Sequence, residues 1–223
     1  MENLKIWIVH YTPLKERKEF LEKELQERKL NYEFIELYDK ECLPDFYLNK
    51  FNLDSHHFKN LGTVSLFIKY MYTLSLVKDS GFEYNLVFED DIILAKNFTS
   101  HLKKIIQQLP NNFDMVFLGN GCNLHIPDHL IKQDKLVYKK SRGRTKWGGM
   151  GATRCMDSVL ISKKCCINAL DLFNMHGNSS NKLSIPLDWW FNEVIRFKKF
   201  HVYWAEPTIV KQGSETGKYA HSH

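Results

Sequence analysis

Two rhythms of apolar and polar positions alternate along this chain. Residues 4–11, LKIWIVHY, are a short run of aliphatic and aromatic side chains, and residues 32–39, YEFIELYD, alternate apolar with polar. Both predict strands. Between them Leu14, Phe20, Leu21, Leu25 and Leu30 stand among charges at helical spacing, with Thr12 as the expected N-cap and Pro13 at the first helical position. A strand, a helix and a second strand at this spacing predict a βαβ opening, hence parallel pairing with ligands at the carboxyl ends of the strands.

The same alternation continues downstream. Residues 42–60 read as loop, and a helix follows from Gly62 to a stop at Gly81. YNLVFEDDIIL (84–94) predicts a third strand, and NFTSHLKKIIQQL (97–109) a helix closed by Pro110. FDMVFLGN (113–120) predicts a fourth strand. DSVLIS (157–162) with KKCCINALDLF (163–173) predicts a strand and a helix, as does LDWWFNEVIRF (187–197) followed by HVYWAEP (201–207), in the reverse order. Strands alternating with helices, uninterrupted by repeats or low-complexity linkers, imply one α/β domain over residues 1–223 with a mostly parallel central sheet flanked by helices.

Composition narrows the class. At 223 residues, 43% hydrophobic and 26% charged, the chain has the balance of a folded globular protein. No apolar run reaches the ~18–20 residues needed to span a bilayer, and the N-terminus lacks the layout of a signal peptide. A cytoplasmic protein, at most peripheral to a membrane, is expected. Five cysteines with no C-x-x-C spacing argue for free thiols rather than a zinc cluster or disulfide framework. The formal charge of +5 suits an anionic ligand such as a nucleotide as well as it suits a nucleic acid. The basic stretch KKSRGRTK (139–146) reads as a solvated loop, with a phosphate or acidic-lipid contact as the minority reading.

The feature that asks for chemistry is LVFEDDIIL (86–94), three acids between two apolar runs. Buried carboxylates are costly unless paired, hydrogen-bonded or bound to metal, and a divalent cation with oxygen ligands is one partner that would satisfy them. The plainer alternative is a strand that ends in a solvated acidic turn. Asp188, beside Trp189 and Trp190, reads as an N-cap for the helix after it.

In this order the motifs resemble glycosyltransferase family 25, which includes bacterial lipopolysaccharide sugar transferases and collagen hydroxylysine galactosyltransferases. The resemblance is carried by IWIVHYTPLKERKEFLEKEL (6–25), LGTVSLFIKYMYTL (61–74), LVFEDDIIL, FDMVFLGNG, IPLDWWF (185–191) and VYWAEPTIVKQGSETGKY (202–219). Many members have a serine–histidine pair in the second helix where this chain has Lys69-Tyr70, and residues 123–156 align poorly.

The resemblance implies a GT-A fold, a Rossmann-like sheet that binds a nucleotide sugar, usually a UDP-hexose, with Mn²⁺ or Mg²⁺ at an Asp-x-Asp-type motif. Carried onto this sequence, Asp91, Glu89 and Asp90 become the metal residues and Asp188 the general base. His10, Tyr11, Thr12, Arg17 and Lys69 become the nucleotide-sugar residues, and Trp189 and Trp190 a stacking face for the acceptor. The expected partners are a UDP-sugar donor and a glycan or hydroxylated-protein acceptor, and no nucleic acid. A metal-dependent nuclease or phosphohydrolase is the rival enzyme reading. It would need further acids at strand ends, for which Glu206 and Asp114 are the candidates. A catalytically inactive binding module is the rival outside enzymes.

Overall fold

In the computed structural model, residues 2–140, 153–177 and 181–219 are described. Among these residues seven strands form the central sheet in the order β2-β1-β3-β7-β5-β8-β6: β1 (Leu4–Val9), β2 (Tyr32–Ile35), β3 (Tyr84–Glu89), β5 (Met115–Phe117), β6 (Val137–Lys139), β7 (Ser158–Ile161) and β8 (Val202–Ala205). Two short strands, β4 (Ile92–Leu94) and β9 (Val210–Gln212), pair antiparallel as a separate ribbon. The helices are α1 (Lys15–Glu27), α2 (Asp45–Leu48), α3 (Leu61–Asp79), α4 (Phe98–Gln108), α5 (Lys163–Asn174) and α6 (Leu187–Lys198).

Strand alternation sorts the core into two layers, because successive side chains point to opposite faces of a sheet. Trp7, Val9, Val87, Phe117, Val159 and Trp204 face α3, α5 and α6. Leu4, Ile6, Ile8, Phe88, Val116 and Leu160 face the other way, onto α1 and α4. The sheet is therefore buried on both sides, which is why its strands read as continuous apolar runs.

The sheet is mixed. β1 pairs parallel with β2 and β3, and β5 with β8, whereas β7 is antiparallel to both β3 and β5, and β6 to β8. Five strands thus point one way and two the other, so only three of the six pairings are parallel. The expectation of a mostly parallel sheet holds for strand direction and not for pairing, because β7 is inserted between two strands of the opposite sense. From β1 the chain passes to β2 on one side and then to β3 on the other. This reversal of strand order opens a crevice at the carboxyl ends of β1 and β3.

Local corrections follow from side-chain bonding. α1 begins at Lys15 with Leu14 before it, so Thr12 and Pro13 lie in the preceding turn; the Thr12 hydroxyl donates to Asp39 instead of capping the helix. α3 begins one residue before Gly62, capped by Asn60, whose side-chain oxygen accepts from the Gly62 N–H at 2.8 Å. α6 has Pro186 at its N-cap position with no capping side chain, which places Asp188 inside the first turn. Residues 84–94 are two strands, not one: β3 ends at Glu89, the chain turns at Asp90 and Asp91, and β4 leaves for the ribbon with β9.

Candidate active site

The crevice is an open cleft bounded by the end of β1, the start of α1, the N-terminal half of α3, the acidic turn and residues of the C-terminal segment. His10, Tyr11 and Arg17 line one wall, Lys69 another, and Glu89, Asp90 and Asp91 the floor, with Gln212 and Ser214 at the edge. Of the expected nucleotide-sugar residues only Thr12 is not among those lining it, its hydroxyl being held by Asp39.

The three acids have different surroundings. Asp90 is buried and fully engaged: one oxygen accepts from Arg17 Nη1 at 2.9 Å, the other lies 2.8 Å from His10 Nδ1 and accepts from the Tyr11 N–H at 3.1 Å. Although burial works against the charge, the bonds from His10, Arg17 and Tyr11 outweigh it together and hold this carboxyl below its ordinary range. Asp90 thus ties β1 and α1 to the acidic turn, with both its oxygens bonded within the protein. Asp91 is equally buried, but only one of its oxygens is satisfied; Oδ1 has no partner. Glu89 keeps some solvent contact, and desolvation followed by the charges of Asp91, Asp188, Asp157 and Asp90 pushes it well above the usual carboxylate range.

Asp157 is a residue the sequence reading did not single out. It precedes β7, and its carbonyl accepts from the Glu89 N–H at 2.9 Å, which extends the antiparallel ladder and sets it beside the acidic turn. Burial, opposed by a bond from the Ser158 hydroxyl, raises its carboxyl to about 7. Gly119, at the end of β5, leaves the room for it: a Cβ there would stand 2.5 Å from Asp157 Oδ2 and 2.8 Å from Ser158 Oγ. Asp188 completes the group. Burial raises it to about 6, against a bond from the Met156 backbone. Four carboxylates from β3, the acidic turn, the start of β7 and the start of α6 therefore influence one another where β3 ends and β7 begins, in the middle of the sheet.

The remaining candidates divide. Lys69 is buried in α3, where its ammonium binds the His10 carbonyl and Asp39. Tyr11 donates to Glu41 at 2.7 Å, and that bond with nearby acids moves its phenol up to about 12. His10 is 1% exposed, and its Nε2 has no partner. Trp189 is 56% exposed, with His57 edge-on at 5.1 Å. Trp190 is packed against Phe67 and Phe191 in the core and offers no open face, so the stacking expectation fails for it. The two acids that a nuclease would require are elsewhere or occupied. Asp114 lies at the opposite end of the sheet, ahead of β5, where it accepts from the His201 N–H and pairs with Lys164. Glu206 binds Arg154 and His125.

The model of glycosyltransferase family 25 (LPS biosynthesis protein) matches residues 3–145, which carry the acidic turn and all the cleft's lining residues except Gln212 and Ser214. The chain belongs to glycosyltransferase family 25. Asp157, Asp188 and the C-terminal segment lie beyond the matched range. Protein R655 of Acanthamoeba polyphaga mimivirus, a glycosyltransferase by name, is 30% identical over 128 residues, which cover 55% of this chain and 39% of that one. The chain thus spans about two fifths of that relative. Its fold is similar to the crystal structure of a glycosyltransferase involved in the glycosylation of the major capsid of PBCV-1. The TM-score is 0.53 at 10% identity, with 94% of this chain and 93% of that one covered.

The loop reading of residues 139–146 falls almost wholly outside the described residues. No helix among the described residues is long and apolar enough to cross a membrane.

Proposed function

We propose that this member of family 25 is a GT-A-type enzyme that moves a hexose from a nucleotide sugar, UDP-glucose or UDP-galactose, to a hydroxyl of a glycan or protein acceptor, with inversion and with a divalent cation. The observation that carries the reading is the placing of Glu89 and Asp91 in a cleft at the strand-order reversal, walled by His10, Arg17 and Lys69, with Asp157 and Asp188 near enough to raise the Glu89 carboxyl. A cleft at this place in an α/β sheet suits a nucleotide.

Mn²⁺ or Mg²⁺ fits the donor set in part. The orphaned Oδ1 of Asp91 is a hard oxygen ligand, and Glu89 lies two residues away on the same floor. Asp90 does not fit, since its oxygens are taken by Arg17, His10 and Tyr11. Among the described residues no three His, Cys, Asp or Glu side chains are grouped so that they could hold a metal ion. An ion on Asp91 and Glu89 would therefore have to take the rest of its ligands from phosphate oxygens and water. A bound cation would stabilise the negative charge that builds on the diphosphate as it departs.

Asp188 acts as the base. As the acceptor oxygen forms its bond to the anomeric carbon, the bond from that carbon to the diphosphate oxygen breaks, and the hydroxyl proton passes to Asp188. A carboxyl at about 6 is mostly ionised at neutral pH and more basic than an exposed aspartate, which favours general-base catalysis. The exposed ring of Trp189, next to Asp188, gives the acceptor sugar a face to lie on. Arg17 and Lys69 set positive charge near the diphosphate, and Tyr11 lies where the nucleoside enters.

The test is a thermal-shift panel of UDP, GDP and CMP and their hexose conjugates, each with and without Mn²⁺. Stabilisation by UDP and a UDP-hexose that disappears with EDTA is the expected result. Equal UDP stabilisation in EDTA would remove the cation from the reading, and stabilisation by another nucleotide alone would replace the donor.

A further inference from the structure

The C-terminal segment holds Asp91 in a way that its backbone pairing does not require. β9 is already fixed to β4, with Gln212 opposite Ile92, and the Gly213 N–H donates to the Asp91 carbonyl at 2.6 Å. Beyond these main-chain bonds, Ser214 turns its side chain onto the carboxylate. Its hydroxyl donates to Asp91 Oδ2 at 2.7 Å, and its N–H reaches the same oxygen at 3.3 Å. The other oxygen, Oδ1, is buried with no partner, and Ser214 lines the same cleft.

The rest of the segment fixes Ser214 in turn. The ring of Tyr219 lies over the Arg17 guanidinium at 5.0 Å, and the Lys218 ammonium lies over Phe20 of α1. Gly213 is the residue that lets the segment come so close: a Cβ there would stand 2.5 Å from both the Asp91 carbonyl and the Tyr219 ring. One end of the segment therefore rests on the ribbon beside the acidic turn and the other on α1, the helix that supplies Arg17.

The terminal torsion of an aspartate is broad and two-fold, so an unrestrained Asp91 would offer its oxygens in many orientations. From this geometry we infer that Ser214 is a positioning residue: by occupying Oδ2 it orients Asp91 with Oδ1 free to take a divalent cation and the diphosphate it accompanies. The inference rests on the metal role proposed above for Asp91. Hydrogen bonds from residues behind a ligand orient it and tune its basicity, and losing one typically costs ~10–100-fold in metal affinity.

The experiment is Mn²⁺ binding, read from the free-ion paramagnetic resonance signal in the presence of UDP, on wild type, Ser214→Ala, Ser214→Thr and Asp91→Asn, with a melting curve for each. Ser214→Ala should weaken Mn²⁺ binding by about tenfold or more with little change in melting temperature, and Ser214→Thr, which keeps the hydroxyl, should restore most of it. In a transfer assay the Mn²⁺ concentration for half-maximal rate should rise for Ser214→Ala, while the rate at saturating Mn²⁺ stays near wild type. If Asp91→Asn abolishes binding and Ser214→Ala does not weaken it, the positioning role is overturned and the metal role stands. If Asp91→Asn binds Mn²⁺ as wild type does, the metal role falls and the positioning role with it. A melting temperature lowered by Ser214→Ala together with unchanged Mn²⁺ affinity would make Ser214 a structural residue only.

Discussion

Asp188 shows how the structure can separate two roles that one side chain could fill. As an N-cap it would donate nothing to chemistry, and Asn would replace it without loss. It sits within the first turn of α6 instead, accepts from the Met156 backbone, and is raised to about 6 by burial. As a base it should be ionised for turnover, so kcat/KM should rise with pH through about 6 and level off above. Asp188→Asn should cut turnover by roughly 100-fold or more, remove that limb of the pH profile and leave UDP affinity unchanged. Its melting temperature should hold or increase, because one charge leaves a crowded group of carboxylates. Steady-state transfer rates from pH 5 to 8, calorimetry with UDP and a melting curve check all three, and an Asn variant with wild-type turnover would move the base to another carboxylate. Asp188 was legible because it stands beside two tryptophans in a motif. Asp157 was not, since it reads as the polar first residue of an apolar run, and only the antiparallel placement of β7 brings it to Glu89.

Among the elements, those with enough residues to show a period could be read directly: β1, α1, β2, α3, α4, α5 and α6 all lie where their apolar spacing puts them, with ends shifted by a few residues. β6 and β9, of three residues each, could not; β5 is as short but lies in the apolar run 113–120, and β4 read as a continuation of β3. The sense of β7 was also hidden, because a strand's own pattern tells which face is buried and not which neighbour it meets. The join between β5 and β7 yields a prediction at this scale. Gly119 follows β5 with φ in the ordinary range, so strain at Gly119→Ala would come from crowding alone: the new methyl group meets Asp157 Oδ2 and Ser158 Oγ. Overpacking of this kind costs ~1–3 kcal/mol. For a chain of this length that is a fall of about 2–4 °C in melting temperature per kcal/mol. Transfer should suffer more than stability, because the atom pushed aside belongs to the carboxylate group. Gly81→Ala, with nothing within 4 Å of its Cβ, is the control that should change neither.

Taken over the whole molecule, the acids couple two parts of the chain, residues before 140 that carry Glu89 and Asp91 and residues after 153 that carry Asp157 and Asp188. Both Asp157, at about 7, and Asp188, at about 6, have folded values above the 3.8 of an ordinary aspartate. Between pH 3.8 and 7 the folded state therefore binds more protons than the unfolded one. Stability must fall as pH rises through that window, the reverse of the trend from a salt-bridged carboxylate. Asp90 works the other way, but its depressed value confines its effect to pH below 3.8. The contribution of Asp157 is on the order of a few kcal/mol, shared with the neighbours that repel it. In EDTA, the melting temperature should accordingly be several degrees higher at pH 5.5 than at pH 8, and Asp157→Asn should flatten the difference. Saturating Mn²⁺ with UDP should raise the melting temperature most at pH 8, where the carboxylates are ionised and unneutralised, because a ligand that binds only the folded state stabilises it by the logarithm of its concentration relative to its dissociation constant. A cation-free protein that melts higher at pH 8 than at pH 5.5 would mean that the four carboxylates do not share one desolvated space, and the reading of that part of the sheet as a catalytic centre would lose its electrostatic basis.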